Sequence, residues 1–103
     1  VGWISYFHLN RHNRSAGLEI VIDPDERRNG LAAKAVEILC RHLFKNQGLN
    51  KVIFQVAEPN DAAIALLEKL GMKRDGTLRR HYFIDGEYQD GYIYTMLNHE
   101  SPW

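Results

Sequence analysis

The segment between Leu18 and Val56 reads as a strand, a long helix and a second strand, and this order constrains the fold most strongly. Residues 18–22 and 52–56 are short, mostly apolar runs, which indicate buried strands. From residue 30 to about residue 46, apolar side chains recur at helical spacing: Leu31, Ala35, Ile38, Leu39 and Leu43. Strands joined by a helix pair in parallel through a right-handed crossover. The sequence therefore predicts a parallel strand pair at the centre of a sheet.

Antiparallel hairpins are predicted at both ends of this unit. The N-terminal hairpin joins residues 3–9 to the strand at residues 18–22 across a polar turn. The C-terminal hairpin joins residues 78–84 to residues 88–97 across Asp85-Gly86, a dipeptide that favours a tight two-residue turn. With a parallel pair between the hairpins, the sheet is expected to be mixed.

A second helix is predicted between the central strand and the C-terminal hairpin. Asn60 or Asp61 can cap its start, and Gly71 is a natural stop. Its apolar face carries Ala63, Leu66, Leu67 and Leu70. A chain of 103 residues is one domain at most, so we expect a single domain, residues 1–103, of the mixed α/β (α+β) class.

Composition and charge argue against several kinds of partner. Thirteen Lys and Arg residues balance thirteen Asp and Glu residues, so nothing favours nucleic acid or a membrane surface. The single cysteine, Cys40, excludes an internal disulfide and fits a reducing, cytoplasmic location. The five histidines lack the spacing of a metal site. We therefore expect no metal, no nucleic acid and no membrane partner.

The turn from Arg27 to Ala32 is the strongest candidate for ligand binding. It stands at the start of the first predicted helix, where backbone N–H groups and the positive end of the helix dipole can bind phosphate oxygens. Gly30 would let the backbone approach a ligand closely because it has no Cβ. The alternative is a simple loop with a glycine near a helix start, and local chemistry alone leaves both interpretations open.

Three motifs, taken in order, make the chain resemble the GNAT N-acetyltransferases. Arg27-x-x-Gly30-x-Ala32 matches the cofactor signature of that family, Gln/Arg-x-x-Gly-x-Gly/Ala. Residues 60–72 resemble its Asn-x-x-Ala-x-x-Leu-Tyr-Glu-Lys-Leu-Gly-Phe block. Residues 75–90 are similar to two branches, of which one acetylates the N-termini of ribosomal proteins and the other acetylates polyamines such as spermidine.

The resemblance implies an acetyl-CoA site between two parallel strands that splay apart. Acetyl-CoA is the expected acetyl donor, and its pantetheine amides would pair with backbone groups at Ile20, Val21 and Ile22. Asn60 would lie near the pantetheine arm. The pyrophosphate would lie against the turn and the helix start, at Arg27, Arg28, Asn29, Gly30, Leu31, Ala32 and Ala33. The implied reaction is direct attack on the thioester by a small-molecule amine, a polyamine or a protein N-terminus.

The family's proton donor is replaced in this chain. Leu67 stands where the family has a tyrosine that can protonate the departing thiolate, and leucine cannot donate a proton. Other tyrosines could serve by their chemistry, namely Tyr82, Tyr88, Tyr92 and Tyr94. Glu19 lies beside the strand segment implied to hold the thioester and is the candidate catalytic base. The alternative for Glu19 is a solvated strand residue.

The family's N-terminal strand and helices are expected to be absent from these 103 residues. Those elements form much of the acceptor pocket in the family, so the chain is expected to be a fragment or to complete its fold with a partner, as in a homodimer. Two functions stay open: an N-acetyltransferase, and a non-catalytic module that binds CoA or self-associates.

Overall fold

The computed structural model describes residues 3–22 and 30–103. In this part of the chain five strands form one sheet in the order β1-β2-β3-β5-β4. The strands are β1 (Trp3–Asn10), β2 (Ser15–Val21), β3 (Lys51–Ala57), β4 (Lys73–Ile84) and β5 (Glu87–Leu97). Helix α1 (Leu31–Arg41) lies in the chain between β2 and β3, and helix α2 (Asp61–Lys69) lies between β3 and β4.

The centre of the sheet is the parallel pair β2 and β3, as the order of elements predicts. Their pairing runs from Ser15 opposite Lys51 to Glu19 opposite Gln55. Beyond that point β2 continues to Val21 and β3 to Ala57 without further mutual pairing. The other neighbours, β1 with β2, β3 with β5 and β4 with β5, are antiparallel. The predicted mixed sheet with its C-terminal hairpin is confirmed.

One face of the sheet carries the core. Leu18 lies opposite Phe54, and Phe54 lies opposite Tyr94, so the three side chains share this face, and all three are buried. Buried residues of both helices, among them Val36 of α1 and Leu67 of α2, belong to the same apolar cluster. We call the opposite side, which carries Glu19 and Gln55, the second face. Along β3 the residues of this face are only partly buried.

The first helix is shorter than predicted. Its periodicity extends to residue 46, but α1 ends at Arg41 and continues as a π-helical turn over His42–Asn46. The Gln47 N–H donates to the carbonyl of His42 at 3.1 Å, which widens the last turn. The first parallel strand also differs from residues 18–22, because its pairing with β1 and β3 already begins at Ser15.

Local hydrogen bonds define α2 and the C-terminal hairpin as the sequence predicts. Asn60 Oδ1 accepts a hydrogen bond from the Ala63 N–H at 3.2 Å and caps α2. At the hairpin tip, Asp85 has φ 52° and Gly86 has φ 80°. A two-residue turn with positive φ at both positions matches the right-handed twist of the strands that it joins.

Removal of the Asn60 cap should measurably destabilise the domain. Asn60→Ala leaves the Ala63 N–H without its side-chain acceptor, and we expect the free energy of unfolding to fall by about 1 kcal/mol. Urea unfolding followed by circular dichroism gives this value. Asn46→Ala is the control, since it removes only an exposed side-chain contact with His42 and should cost less than about 0.5 kcal/mol. Equal effects of the two substitutions would refute the capping role.

Candidate functional site

A cavity of about 210 Å³ lies where the end of β2, the start of α1 and one face of α2 meet. Ile22 contributes the strand side of its wall, and small residues contribute the α1 side: Gly30, Ala32 and Ala33. The α2 side consists of Ala62, Ala65, Leu66 and Lys69. The fold thus brings part of the predicted phosphate turn to the same cavity as the second predicted helix.

The start of α1 forms one side of this cavity. Gly30 is the capping residue and has φ 75°, a left-handed conformation that L side chains rarely adopt. The helical hydrogen bonds begin with the Lys34 N–H, which donates to the carbonyl of Gly30 at 3.1 Å. No carboxylate occupies the first turn of α1, so no acidic side chain offsets the positive end of the helix dipole there. Lys69 adds a positive charge to the cavity wall.

Among the described residues, the others that were predicted to bind acetyl-CoA do not line the cavity. Arg27, Arg28 and Asn29 lie outside the described residues. Leu31 is exposed and does not line the cavity, and the Asn60 side chain is engaged in capping α2. Ile20 is buried in the core and Val21 is half-buried, and both lie past the last pair of β2 with β3.

Sequence reasoning missed the face that α2 presents to the cavity. Its four lining residues, Ala62, Ala65, Leu66 and Lys69, follow the spacing of one side of a helix. The predicted apolar face shares only Leu66 with this set, and it packs into the core through Ala63 and Leu67. The small residues and the lysine on this face of the helix are the sequence feature that could have indicated a ligand cavity.

Glu19, the predicted base, lies at the last paired position of β2 with β3. Its Oε2 accepts a hydrogen bond from the hydroxyl of Tyr82 at 3.2 Å. Burial, followed by the negative charge of Glu19, raises the pKa of Tyr82 well above its ordinary value. Tyr82 therefore stays protonated near neutral pH and acts as a hydrogen-bond donor to the carboxylate.

The four tyrosines that could serve as proton donors by their chemistry make different contacts in the structure. Tyr92 donates to Glu58 at 3.0 Å, and Tyr94 donates to Glu68 at 2.7 Å. Tyr88 is exposed near the hairpin tip, where its ring contacts Phe83. Tyr82 is the one of the four whose hydroxyl bonds to Glu19. Leu67, at the position of the family's tyrosine, is fully buried in the core.

Cys40 does not line the cavity. Cys40 is buried in α1, and burial raises the pKa of its thiol to about 12, so little thiolate forms near neutral pH. Among the described residues no group of three or more His, Cys, Asp or Glu side chains could hold a metal ion. Within the same segments, no helix has the length and apolar character needed to cross a bilayer.

Comparison with known proteins identifies the family. Residues 1–73 match the model of the acetyltransferase (GNAT) domain. Spermidine N(1)-acetyltransferase of Escherichia coli is 28% identical over 99 residues, which cover 96% of this chain and 53% of the relative. The corresponding enzyme of Vibrio cholerae is 31% identical over 90 residues, which cover 87% of this chain and 52% of the relative.

A solved structure agrees with these sequence matches. The dodecameric structure of spermidine N-acetyltransferase from Vibrio cholerae superposes with a TM-score of 0.82 at 30% identity, and covers 95% of this chain and 57% of that one. The chain spans about half the length of the curated relatives that it matches. The matched residues include both parallel strands, the turn at Gly30 and helix α2. The chain therefore belongs to the GNAT acetyltransferase family.

Proposed function

We propose that the chain transfers an acetyl group from acetyl-CoA to a primary amine. The observation that carries this proposal is the cavity that joins the signature turn at Gly30 to helix α2. Its small, largely apolar wall includes Ala32 and Ala33 of a helix start, and Lys69 adds positive charge. Such a wall suits a ligand with an anionic pyrophosphate and a thin apolar arm.

In this proposal the donor arm lies between the diverging ends of β2 and β3. Pairing with β3 ends at Glu19, so among the described strands the edge of β2 that faces β3 has no partner at Ile20 and Val21. Backbone groups there and at Ile22 would bond the pantetheine amides. Gly30, Leu31, Ala32 and Ala33 would hold the pyrophosphate, together with Arg27, Arg28 and Asn29 of the signature. Asn60 would flank the arm from the start of α2.

The proposed chemistry needs one base and a polarised carbonyl. Glu19 would accept a proton from the ammonium group of the acceptor, and the freed amine nitrogen would attack the thioester carbonyl carbon. A backbone N–H of β2 would stabilise the negative charge on the carbonyl oxygen. The C–N bond forms, the C–S bond breaks, and CoA leaves as a thiolate while the amide nitrogen loses its second proton to solvent.

The acceptor class and the setting of the protein also belong to this proposal. Relatives named for spermidine N-acetylation favour a polyamine as the acceptor, ahead of other small amines or a protein N-terminus. The balanced charge and the buried thiol of Cys40 support a cytoplasmic location. A homodimer is the proposed assembly, because β1 and β4 are the edge strands of the described sheet.

Acetyl-CoA should bind to the chain and lose its acetyl group to spermidine. Isothermal titration measures the binding of acetyl-CoA, and a thiol-reactive dye measures the release of CoA on addition of spermidine. The control reactions omit either the protein or the amine. If neither acetyl-CoA nor CoA binds at millimolar concentration, the proposed function is wrong.

A non-catalytic CoA-binding module is the second candidate. Leu67 favours it, because a leucine has no hydroxyl to protonate the departing thiolate. The thiol-release assay separates the two candidates. Binding of acetyl-CoA with no release above the uncatalysed rate, for spermidine, amino sugars and peptide N-termini alike, would support the non-catalytic module.

A further inference from the structure

The hydrogen bond between Tyr82 and Glu19 crosses most of the sheet. Tyr82 belongs to β4 and Glu19 to β2, and the strands β5 and β3 lie between them. The two residues are 63 positions apart in the sequence. Tyr82 must therefore lie over the second face of the sheet, the side away from the core.

An irregularity in β4 changes the position of Tyr82 along β5 but not its face. The β4–β5 register shifts between Leu78 and Tyr82, and Arg80, inside the shift, has φ 50°. The Arg80 N–H donates to Asp90 Oδ1 at 2.9 Å, so the β5 strand holds the irregular segment in place. The shift places Tyr82 opposite Gln89, whereas the register of Leu78 with Gly91 would have placed it opposite Glu87.

Gly91 makes room for the tyrosine ring. Gly91 is buried in β5 opposite Ala57 of β3, and a Cβ at this position would lie 2.7 Å from Cε2 of Tyr82. The ring can lie across β5 only because residue 91 has no side chain. The position of Tyr82 thus depends on a glycine in the neighbouring strand.

A polar row surrounds the carboxylate on the second face. Ser5 of β1 and Gln55 of β3 lie directly opposite Glu19 on its two sides, so the three side chains point to the same face. Glu19 is half-buried and forms no ion pair with any residue in the described segments. Its Oε2 accepts the Tyr82 hydroxyl, whereas Oε1 accepts no hydrogen bond from the same residues. With respect to the described residues, one carboxylate oxygen thus remains available for a cationic donor.

We propose that Glu19, Tyr82, Ser5 and Gln55 form a binding subsite for an alkylammonium group. Glu19 supplies the negative charge, and the aromatic ring of Tyr82 supplies a surface that attracts a cation. Ser5 and Gln55 offer oxygen acceptors for the remaining N–H groups of the ammonium. The Tyr82 hydroxyl fixes the carboxylate, which lies where β2 and β3 stop pairing.

This subsite deepens the proposed function, on which it rests for its biological role. An ammonium group held at Glu19 would lie beside the diverging strand ends proposed to hold the thioester. A polyamine would place one amine there and extend its remaining chain along the second face, over partly buried apolar residues such as Ile53 and Ile93.

Spermidine binding tests the subsite independently of turnover. Isothermal titration of spermidine into the full 103-residue chain, with and without saturating CoA, should show binding. Glu19→Gln removes the charge but keeps the shape, and should weaken binding about tenfold or more. Tyr82→Phe should weaken it by about threefold, since the carboxylate loses its fixed position. Gly91→Ala should also weaken it, because the new methyl group displaces the ring.

Matched controls isolate these effects. Glu58→Gln removes a carboxylate that also accepts a tyrosine hydroxyl, but that bond involves Tyr92 and not Glu19. Gly76→Ala adds a methyl group that meets only Ile93 Cδ1, at 3.9 Å. Both should bind spermidine like the unmodified chain, and thermal unfolding confirms that each variant is folded.

Two results would overturn the subsite. One is no spermidine binding by the unmodified chain, and the other is equal affinity in folded Glu19→Gln and Glu58→Gln variants. Acetyl-CoA titration of the same samples distinguishes this failure from failure of the proposed function. Acetyl-CoA binding without spermidine binding removes the subsite alone, whereas spermidine binding without acetyl-CoA binding removes only the donor site.

Discussion

A Gly30→Val variant is expected to bind acetyl-CoA about tenfold more weakly or worse. Gly30 has φ 75° at the start of α1, and a β-branched side chain there is strongly disfavoured. A valine would either force the turn into another conformation or place its side chain at the cavity wall, where the pyrophosphate is proposed to lie. Both outcomes remove the close approach of backbone amides to phosphate. Isothermal titration with acetyl-CoA measures the loss.

Gly86→Val is the matched control for this prediction. Gly86 has φ 80°, and a Cβ there also meets nothing within 4 Å, so the two substitutions impose similar backbone strain. Gly86 lies in the turn between β4 and β5 and does not line the cavity. Similar losses of thermal stability are therefore expected, with weaker acetyl-CoA binding for Gly30→Val only. Unaltered affinity in a folded Gly30→Val variant would remove this turn from the donor site.

The parts of the fold that the sequence predicts well depend on local interactions. Asn60 caps α2 through the amide of Ala63, three residues away, and the Asp85-Gly86 dipeptide determines its own turn. The signature around Gly30 is also local, because a helix start needs only a few consecutive residues. For these reasons the sequence predicts the order of the helices and strands and the position of the helix start at Gly30. The mixed sheet follows from that order, because a helix between two strands favours a parallel pair and a tight turn favours an antiparallel one.

The Glu19–Tyr82 pair could not be predicted in the same way. It depends on a register shift in β4, on the Arg80 bond to Asp90, and on the missing side chain at Gly91. None of these features has a short sequence pattern, and each becomes visible only when distant strands are placed side by side. Periodicity also could not reveal that the last turn after α1 widens into a π-helical turn, since apolar spacing hardly distinguishes the two.

Glu19→Gln is expected to lower the rate of acetyl transfer, at saturating acetyl-CoA and saturating spermidine, by about a hundredfold or more, the usual contribution of a general base. Glutamine keeps the size of the side chain and can still accept the Tyr82 hydroxyl, but it cannot take a proton from the acceptor ammonium. The affinity for acetyl-CoA should change little, because the substitution alters only a side chain, whereas the proposed donor contacts are backbone groups of residues 20–22 and of the start of α1. Thiol release with spermidine measures the rate, and isothermal titration measures the affinity.

The dependence of this loss on pH separates a base from a merely structural carboxylate. An alkylamine loses its proton near pH 10, so a higher pH supplies free amine without help from the protein, as the lysine side chain illustrates with a pKa of about 10.4. If Glu19 removes the proton, the difference in the rate of acetyl transfer between the Glu19→Gln variant and the unmodified chain should become smaller as the pH rises from 7 towards about 9.5. Glu58→Gln, which alters the corresponding pair with Tyr92, should keep the unmodified rate throughout. A difference in rate that stays constant with pH would show that Glu19 acts by supporting the strand, and would move the proton transfer to another group or to water.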